Sequence, residues 1–438
     1  MTGRTNAGGG AKINGIIEQY KVQAGATISA GDFVSFVNSW GTRGNLAASG
    51  SYMNGCSAVE LGDNKLLFFY SNNSYAMAAV ITLSGSAFTI ATPVQISAQP
   101  RSGTIIRPLM LSSGNILVSY YDDSTNEYLY CVVLSVSGTT ITVGTEVLVD
   151  NAYTWTGYAC SMCELSGGRV ALIYSRVSYS YYLTGKIIQI SGLSITSLGT
   201  TVLLDSTLYQ TSYLYAFLCS SGKLLVFCRG CPTTSADPSY FVLTVSYMTL
   251  SVDSYSGLSV TNSSYPAFIK VREDTFLALL SYDTSAFYLA GMVVKMNGAA
   301  VEYSGVKTLL APVYKAAYSL SHPKIALLSE GRVGLLSMPD PLKTSDPVPF
   351  VFIVRVGDDE TALESSWQID TMVDVSAGCL ATAGKSAMFA AFYESSSNTT
   401  MYGKPAQRYL TPFAGDIYGI AKTGGSDGDE IDVYIPKV

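Results

Sequence analysis

Histidine is almost absent: His322, followed by Pro323, is the single one in 438 residues. One imidazole excludes a His-rich metal centre and makes any nucleophilic triad depend on partners gathered around that one position. A structural His is the better reading. Charge is scarce too, at 13% where globular domains carry about 25%. The net charge of −6 and pI near 5.0 leave no basic footprint, which argues against nucleic acid as a partner. No apolar stretch reaches the ~20 residues that a membrane-spanning helix needs. The apolar runs are short and end in Ser, Gly, Asn or Asp, which is strand behaviour, so no membrane insertion is expected. Neither a Gly-x-Ser-x-Gly elbow nor a phosphate-binding loop stands in a suitable context. The opening Met1-Thr2-Gly3-Arg4-Thr5-Asn6 lacks an apolar signal region, so synthesis in a cytoplasm is expected.

What is abundant is hydrophobic residues (48%), with 40 Gly and 31 Tyr, and they come in a repeat. An apolar segment, a turn with Gly and a polar residue, then an apolar strand recur at Gly62, Gly114, Gly168, Gly222, Asp274, Gly331 and Gly384. Those positions are 52 to 57 apart by subtraction. A second marker keeps the same beat: Ser84-Gly85, Ser137-Gly138, Ser191-Gly192 and Asn297-Gly298 sit between strand-like runs and suit two-residue hairpin turns. Four antiparallel strands per ~50 residues is the arithmetic of a propeller blade. The sequence therefore predicts an all-β fold, a propeller of about seven four-stranded blades.

The last unit lacks an outer strand after Met401–Ala406. Thr42-Arg43-Gly44-Asn45-Leu46-Ala47 occupies the place that Thr92–Ser97 holds in the first blade, so this early segment is expected to complete the last blade and remove a sheet edge. The expected organisation is a flexible tether over residues 1–19, a propeller over 42–411, and a small β module from 20–41 and 412–438.

The opening Gly3-Arg4-Thr5-Asn6-Ala7-Gly8-Gly9-Gly10 resembles the N-termini of tail-fibre and tail-associated proteins of phages and prophages of Gram-positive hosts. The runs Ala24–Val34 and Gly419–Gly425 look like elements of phage virion β modules, and Val136–Val143 resembles hairpin repeats in such proteins. The resemblance implies a virion structural protein at the adhesion apparatus, not an enzyme, with the terminal module contacting other virion proteins. It supplies no catalytic residues.

The chemistry visible in the sequence is thin. Asp122, Asp123, Glu127, Asp283, Asp340 and Glu394 fall on loops between second and third strands, where a glycoside hydrolase would need two carboxyls at a set separation; solvated loop acids are the commoner reading. Cys160/Cys163 and Cys228/Cys231 could be read as a zinc site, but residues three apart in a strand face opposite ways. The acidic run Asp427–Asp432 lacks the spacing of a calcium loop. No metal or cofactor is expected. The same loops are dense in Tyr, Ser and Asn, the composition of evolved binding surfaces. Tyr70, Tyr75, Tyr121, Asp122, Tyr128, Tyr181 and Tyr393 are the candidate ligand-binding residues, for a bacterial surface glycan or protein. A purely architectural role in a virion is the alternative.

Overall fold

The computed structural model describes residues 15–21, 27–28, 30, 33–47, 56–62, 64–72, 75–97, 106–121, 128–151, 160–177, 181–205, 212–229, 237–260, 266–282, 288–310, 324–329, 331–337, 350–368, 375–382, 387–394, 401–412, 419–421, 425–426 and 430–436. They form two compact units, Trp40–Ala406 on one side and Met1–Ser39 with Gln407–Val438 on the other.

The larger unit is a seven-bladed β-propeller. Blade 2 shows the plan: an innermost strand Arg107–Met110, a second Ile116–Tyr121, a third Leu129–Ser137 and an outer strand Thr140–Val143, each antiparallel to the one before. A short continuation, Val147–Asp150, also pairs with the third strand past a register shift. The innermost strands of the other blades are Ser57–Gly62 (blade 1), Cys160–Leu165 (3), Ser212–Leu218 (4), Ala267–Arg272 (5), Lys324–Ser329 (6) and Val375–Thr382 (7). Each lies beside the next, and the seventh returns to the first. Blade 7 takes its outer strand from the front of the chain: Gly44–Ala47 pairs with Met401–Pro412, Met401 opposite Ala47 and Gly403 opposite Gly44.

Continuous apolar runs fit the second strands because both faces are covered. Along Lys65–Ser71, Leu66, Phe68 and Tyr70 pack toward blade 7, while Leu67 and Phe69 pack toward blade 2. Period-two alternation thus feeds two seams from one strand. Seven apolar clusters fill the seven seams between neighbouring blades. The Gly markers of the repeat are backbone requirements: Gly114 turns at φ 82° and Gly138 at φ 64°, values that L side chains avoid. Where the repeat has no Gly, Asp274 (φ 52°) and Tyr247 (φ 48°) adopt the same left-handed conformation.

In the smaller unit Gly15–Lys21 pairs with Glu430–Pro436, which pairs with Gly419–Ala421, which pairs with Phe33–Trp40. Thr27–Ile28 pairs with Gly425–Ser426. Both termini thus build one β module. Residues 15–19, expected in a flexible tether, are instead strand, because Ile16 and Ile17 find partners in Ile435 and Tyr434.

Candidate functional site

Each blade has a turn side, where the Gly turns lie, and a loop side, where second strands pass to third strands and one blade passes to the next. Tyr70, at the loop-side end of its strand, is 5% exposed and lies 5.8 Å, ring to ring, from Phe68. It is a seam residue, and burial pushes its hydroxyl above the ordinary tyrosine value. Tyr75 is half-buried in a tight loop: its N–H donates to Asn72 Oδ1 at 2.8 Å, and Asn72 N–H donates to Tyr75 O. Tyr128 is half-buried and Tyr121 is buried. Asp122 lies outside the described residues, as do the side chains of Tyr181 and Tyr393. Asp123, Glu127, Asp283, His322, Asp340, Cys231, Asp427 and the side chain of Glu394 are likewise outside them. Cys160 packs in the seam between blades 2 and 3 and Cys163 in that between blades 3 and 4, on opposite faces of one strand. Among the described residues no group of three or more His, Cys, Asp or Glu could hold a metal ion.

The structure assembles a polar cluster of which the sequence singled out Tyr121 as a binding residue and weighed Cys160 only as a zinc ligand. Arg107 opens the innermost strand of blade 2, opposite Ser119. Alternation puts it on the same face as Leu109, in the seam toward blade 3, at the loop-side end. There Cys160 Sγ is 3.4 Å from Ser119 Oγ and is hydrogen-bonded to Tyr121. The Arg107 guanidinium is within electrostatic reach of Tyr215, Cys160 and Tyr121. Tyr215 comes from the innermost strand of blade 4, its ring 5.6 Å from that of Phe268. Three consecutive blades contribute.

Burial sets the charges. It lowers Arg107 from the ordinary arginine value, an effect opposed by the neighbouring Tyr215, Cys160 and Tyr121. The same burial raises Tyr121, Cys160 and Tyr215 above their ordinary values, so all three are neutral near pH 7. Arginine keeps its proton throughout that range. Among the described residues no carboxylate pairs with Arg107. The cluster is a half-buried arginine with neutral O–H and S–H groups as neighbours.

Further out along the seam, Tyr174 Oη donates to Asp150 Oδ2 at 2.5 Å. Arg176 Nη2 lies 3.4 Å from Asp150 Oδ1, and Lys186 Nζ donates to Val149 O at 2.6 Å. Burial, with Asp150 next in weight, pushes Tyr174 well up.

No family model matches the sequence. No curated protein matches it either. Solved structures do. An ulvan lyase described as a new family of polysaccharide lyase superposes with a TM-score of 0.50 at 9% identity, covering 86% of this chain and 95% of its own. The sialidase NanB of Streptococcus pneumoniae gives 0.48 at 10% identity, covering 89% and 94%. An intramolecular trans-sialidase of Ruminococcus gnavus gives 0.44 at 10% identity, covering 83% and 96%.

The likeness is one of fold. It nevertheless corrects the expectation of a virion adhesin that performs no catalysis. That expectation took virion membership from short terminal runs, and a binding role from loops rich in Tyr, Ser and Asn. The ulvan lyase, at a TM-score of 0.50, is an enzyme and not a virion protein.

Proposed function

We propose that this propeller is a carbohydrate-active enzyme whose substrate is an anionic polysaccharide, held at the loop side of blades 2 to 4 with Arg107 as the anion-pairing residue. The observation that carries the reading is the half-buried Arg107, whose neighbours among the described residues are neutral O–H and S–H groups and no carboxylate. A guanidinium presents a rigid fork matched to a carboxylate or sulfate. Partial removal from water strengthens that pairing. Tyr121 and Tyr215, held protonated by burial, offer O–H donors to sugar oxygens. The fold likeness to an ulvan lyase supports the reaction class. For a uronate chain, pairing the carboxylate neutralises charge that otherwise opposes removal of the adjacent proton.

The test is depolymerisation by the full chain. Uronate-rich, sulfated and neutral polysaccharides are incubated with native protein, Arg107→Ala and Arg107→Lys, reading new reducing ends and the ultraviolet absorbance of unsaturated uronate. The expected result is shortening of an acidic polymer only. Loss of one charge-assisted pair, ~1.5–3 kcal/mol, makes Arg107→Ala roughly tenfold to a hundredfold weaker. Arg107→Lys falls between, because it keeps the charge and loses the fork. Native protein that shortens no acidic polymer overturns the proposal.

A further inference from the structure

We propose that Arg176, backed by Lys186, forms a second anion subsite outward of Arg107 along the seam between blades 2 and 3, so that the ligand is a chain carrying anionic groups on more than one sugar. This rests on the reading of Arg107 above and goes beyond it in length and polarity of the ligand.

The register places these groups. In blade 3, Tyr174 pairs with Thr184, Arg176 with Tyr182 and Leu172 with Lys186. All six therefore share one face, the face that packs on blade 2, as Leu172 and Tyr174 do. Blade 2 answers with Val149 and Asp150.

Charge on this face does not balance. Two cations, Arg176 and Lys186, meet one carboxylate, Asp150, and among the described residues neither has another acidic partner. Asp150 is itself shared, since its close contact is with Tyr174. Lys186 is 9% exposed and donates one hydrogen bond, to the Val149 carbonyl. Arg176 Nε is buried with no partner, although the side chain as a whole remains 35% exposed. A buried donor left open and an uncompensated positive charge are both costly. An incoming carboxylate or sulfate at the exposed part of Arg176 compensates the charge.

The second centre continues the first. Tyr121 is within electrostatic reach of Arg107 on one side and of Tyr174 on the other, and Tyr174 contacts Asp150. A row of tyrosines thus separates two cationic centres in one seam, an arrangement suited to successive charged units of a polymer.

The experiment is calorimetric binding of a heparin disaccharide and a heparin hexasaccharide, which carry carboxylate and sulfate on successive units. Native full chain is compared with Arg176→Gln, Arg176→Lys and Arg107→Gln. The native protein is expected to bind the hexasaccharide about tenfold tighter than the disaccharide, the worth of one further charge-assisted contact. Arg176→Gln removes that length advantage, Arg176→Lys retains part of it, and Arg107→Gln weakens both lengths. Thermal melting establishes that each variant is folded. A length advantage that survives Arg176→Gln overturns the second subsite, while a loss in Arg107→Gln alone leaves the first reading standing. If the native chain binds neither length, both fall.

Discussion

Ser112 grips Glu164 with two parallel hydrogen bonds: its N–H donates to Oε2 at 2.8 Å and its Oγ to Oε1 at 2.8 Å. The pair joins the turn of blade 2 to the innermost strand of blade 3, and the arrangement recurs between blades 4 and 5. There Ser220 N–H donates to Asp274 Oδ1 at 2.8 Å, and Ser220 Oγ donates to Oδ2. Seam cores are apolar and non-directional, so such latches supply angular registration between blades. Both latches are exposed, which discounts their worth. Glu164→Ala is expected to cost about 1 kcal/mol in urea unfolding, whereas Glu164→Gln, which keeps an acceptor for the N–H, costs less. Equal losses in the two variants would contradict the bidentate latch.

Tyr247 stands where four blades have Gly, at φ 48°. The residue is 77% exposed, and its backbone carbonyl accepts from Arg169 Nη1 at 2.7 Å. A glycine keeps that bond and removes the left-handed strain of ~1–2 kcal/mol, less the ~0.5–1 kcal/mol of extra chain entropy it carries. Tyr247→Gly is therefore expected to stabilise by a few tenths to ~1 kcal/mol. The same change at Asp274, also at positive φ, is expected to destabilise, because it removes the Ser220 latch. Chemical denaturation of both variants checks the opposite signs.

Three basic residues of blade 5 hold one acidic turn of blade 6: Arg272 with Asp358 at 2.9 Å, Lys295 with Asp359 at 2.8 Å and Lys307 with Glu360 at 3.4 Å. They are not equivalent. Arg272 is 20% exposed against 51% for Lys307, and it also donates to the Gly357 carbonyl at 2.6 Å. Arg272→Ala is expected to cost about 1–2 kcal/mol. Lys307→Ala should cost less than ~0.5 kcal/mol and nothing at high salt. Melting at low and high ionic strength separates the two.

The blades were legible because both faces of the second strands are buried, which writes runs such as Leu66-Leu67-Phe68-Phe69 directly into the sequence, and because the turns between them demand positive φ at fixed intervals. Tyr70 and Tyr121 were legible as candidates but not as seam residues. They abut Ser, Asn and Asp in the sequence and read as loop residues, yet each is the end of a strand whose last inward position faces a seam. Arg107 was passed over because nothing local distinguishes it. Its signal is a cation inside Ile105-Ile106-Arg107-Pro108-Leu109-Met110, and its meaning depends on Cys160 and Tyr215, which the packing of blades 3 and 4 brings near.

Alkaline stability follows from two thiols, Cys163 on the innermost strand of blade 3 and Cys219 in the turn just after that of blade 4. Burial pushes Cys163 from 9.0 up to about 11 and Cys219 up to about 12. A folded-state value above the unfolded one means that the native protein holds the proton more tightly. The associated stability is fully present below about pH 9, where both states are protonated, and is lost as pH climbs toward 11 and then 12. The rise of about two units at Cys163 corresponds to roughly 3 kcal/mol as an upper bound. Native protein is accordingly expected to lose denaturant stability steeply above pH 9. Cys163→Ala and Cys219→Ala are each less stable at pH 7 through the cavity they leave, and each shows a shallower alkaline slope. Slopes identical to that of the native chain would assign the alkaline loss to the buried tyrosines instead, of which Tyr121, Tyr174 and Tyr215 are also raised.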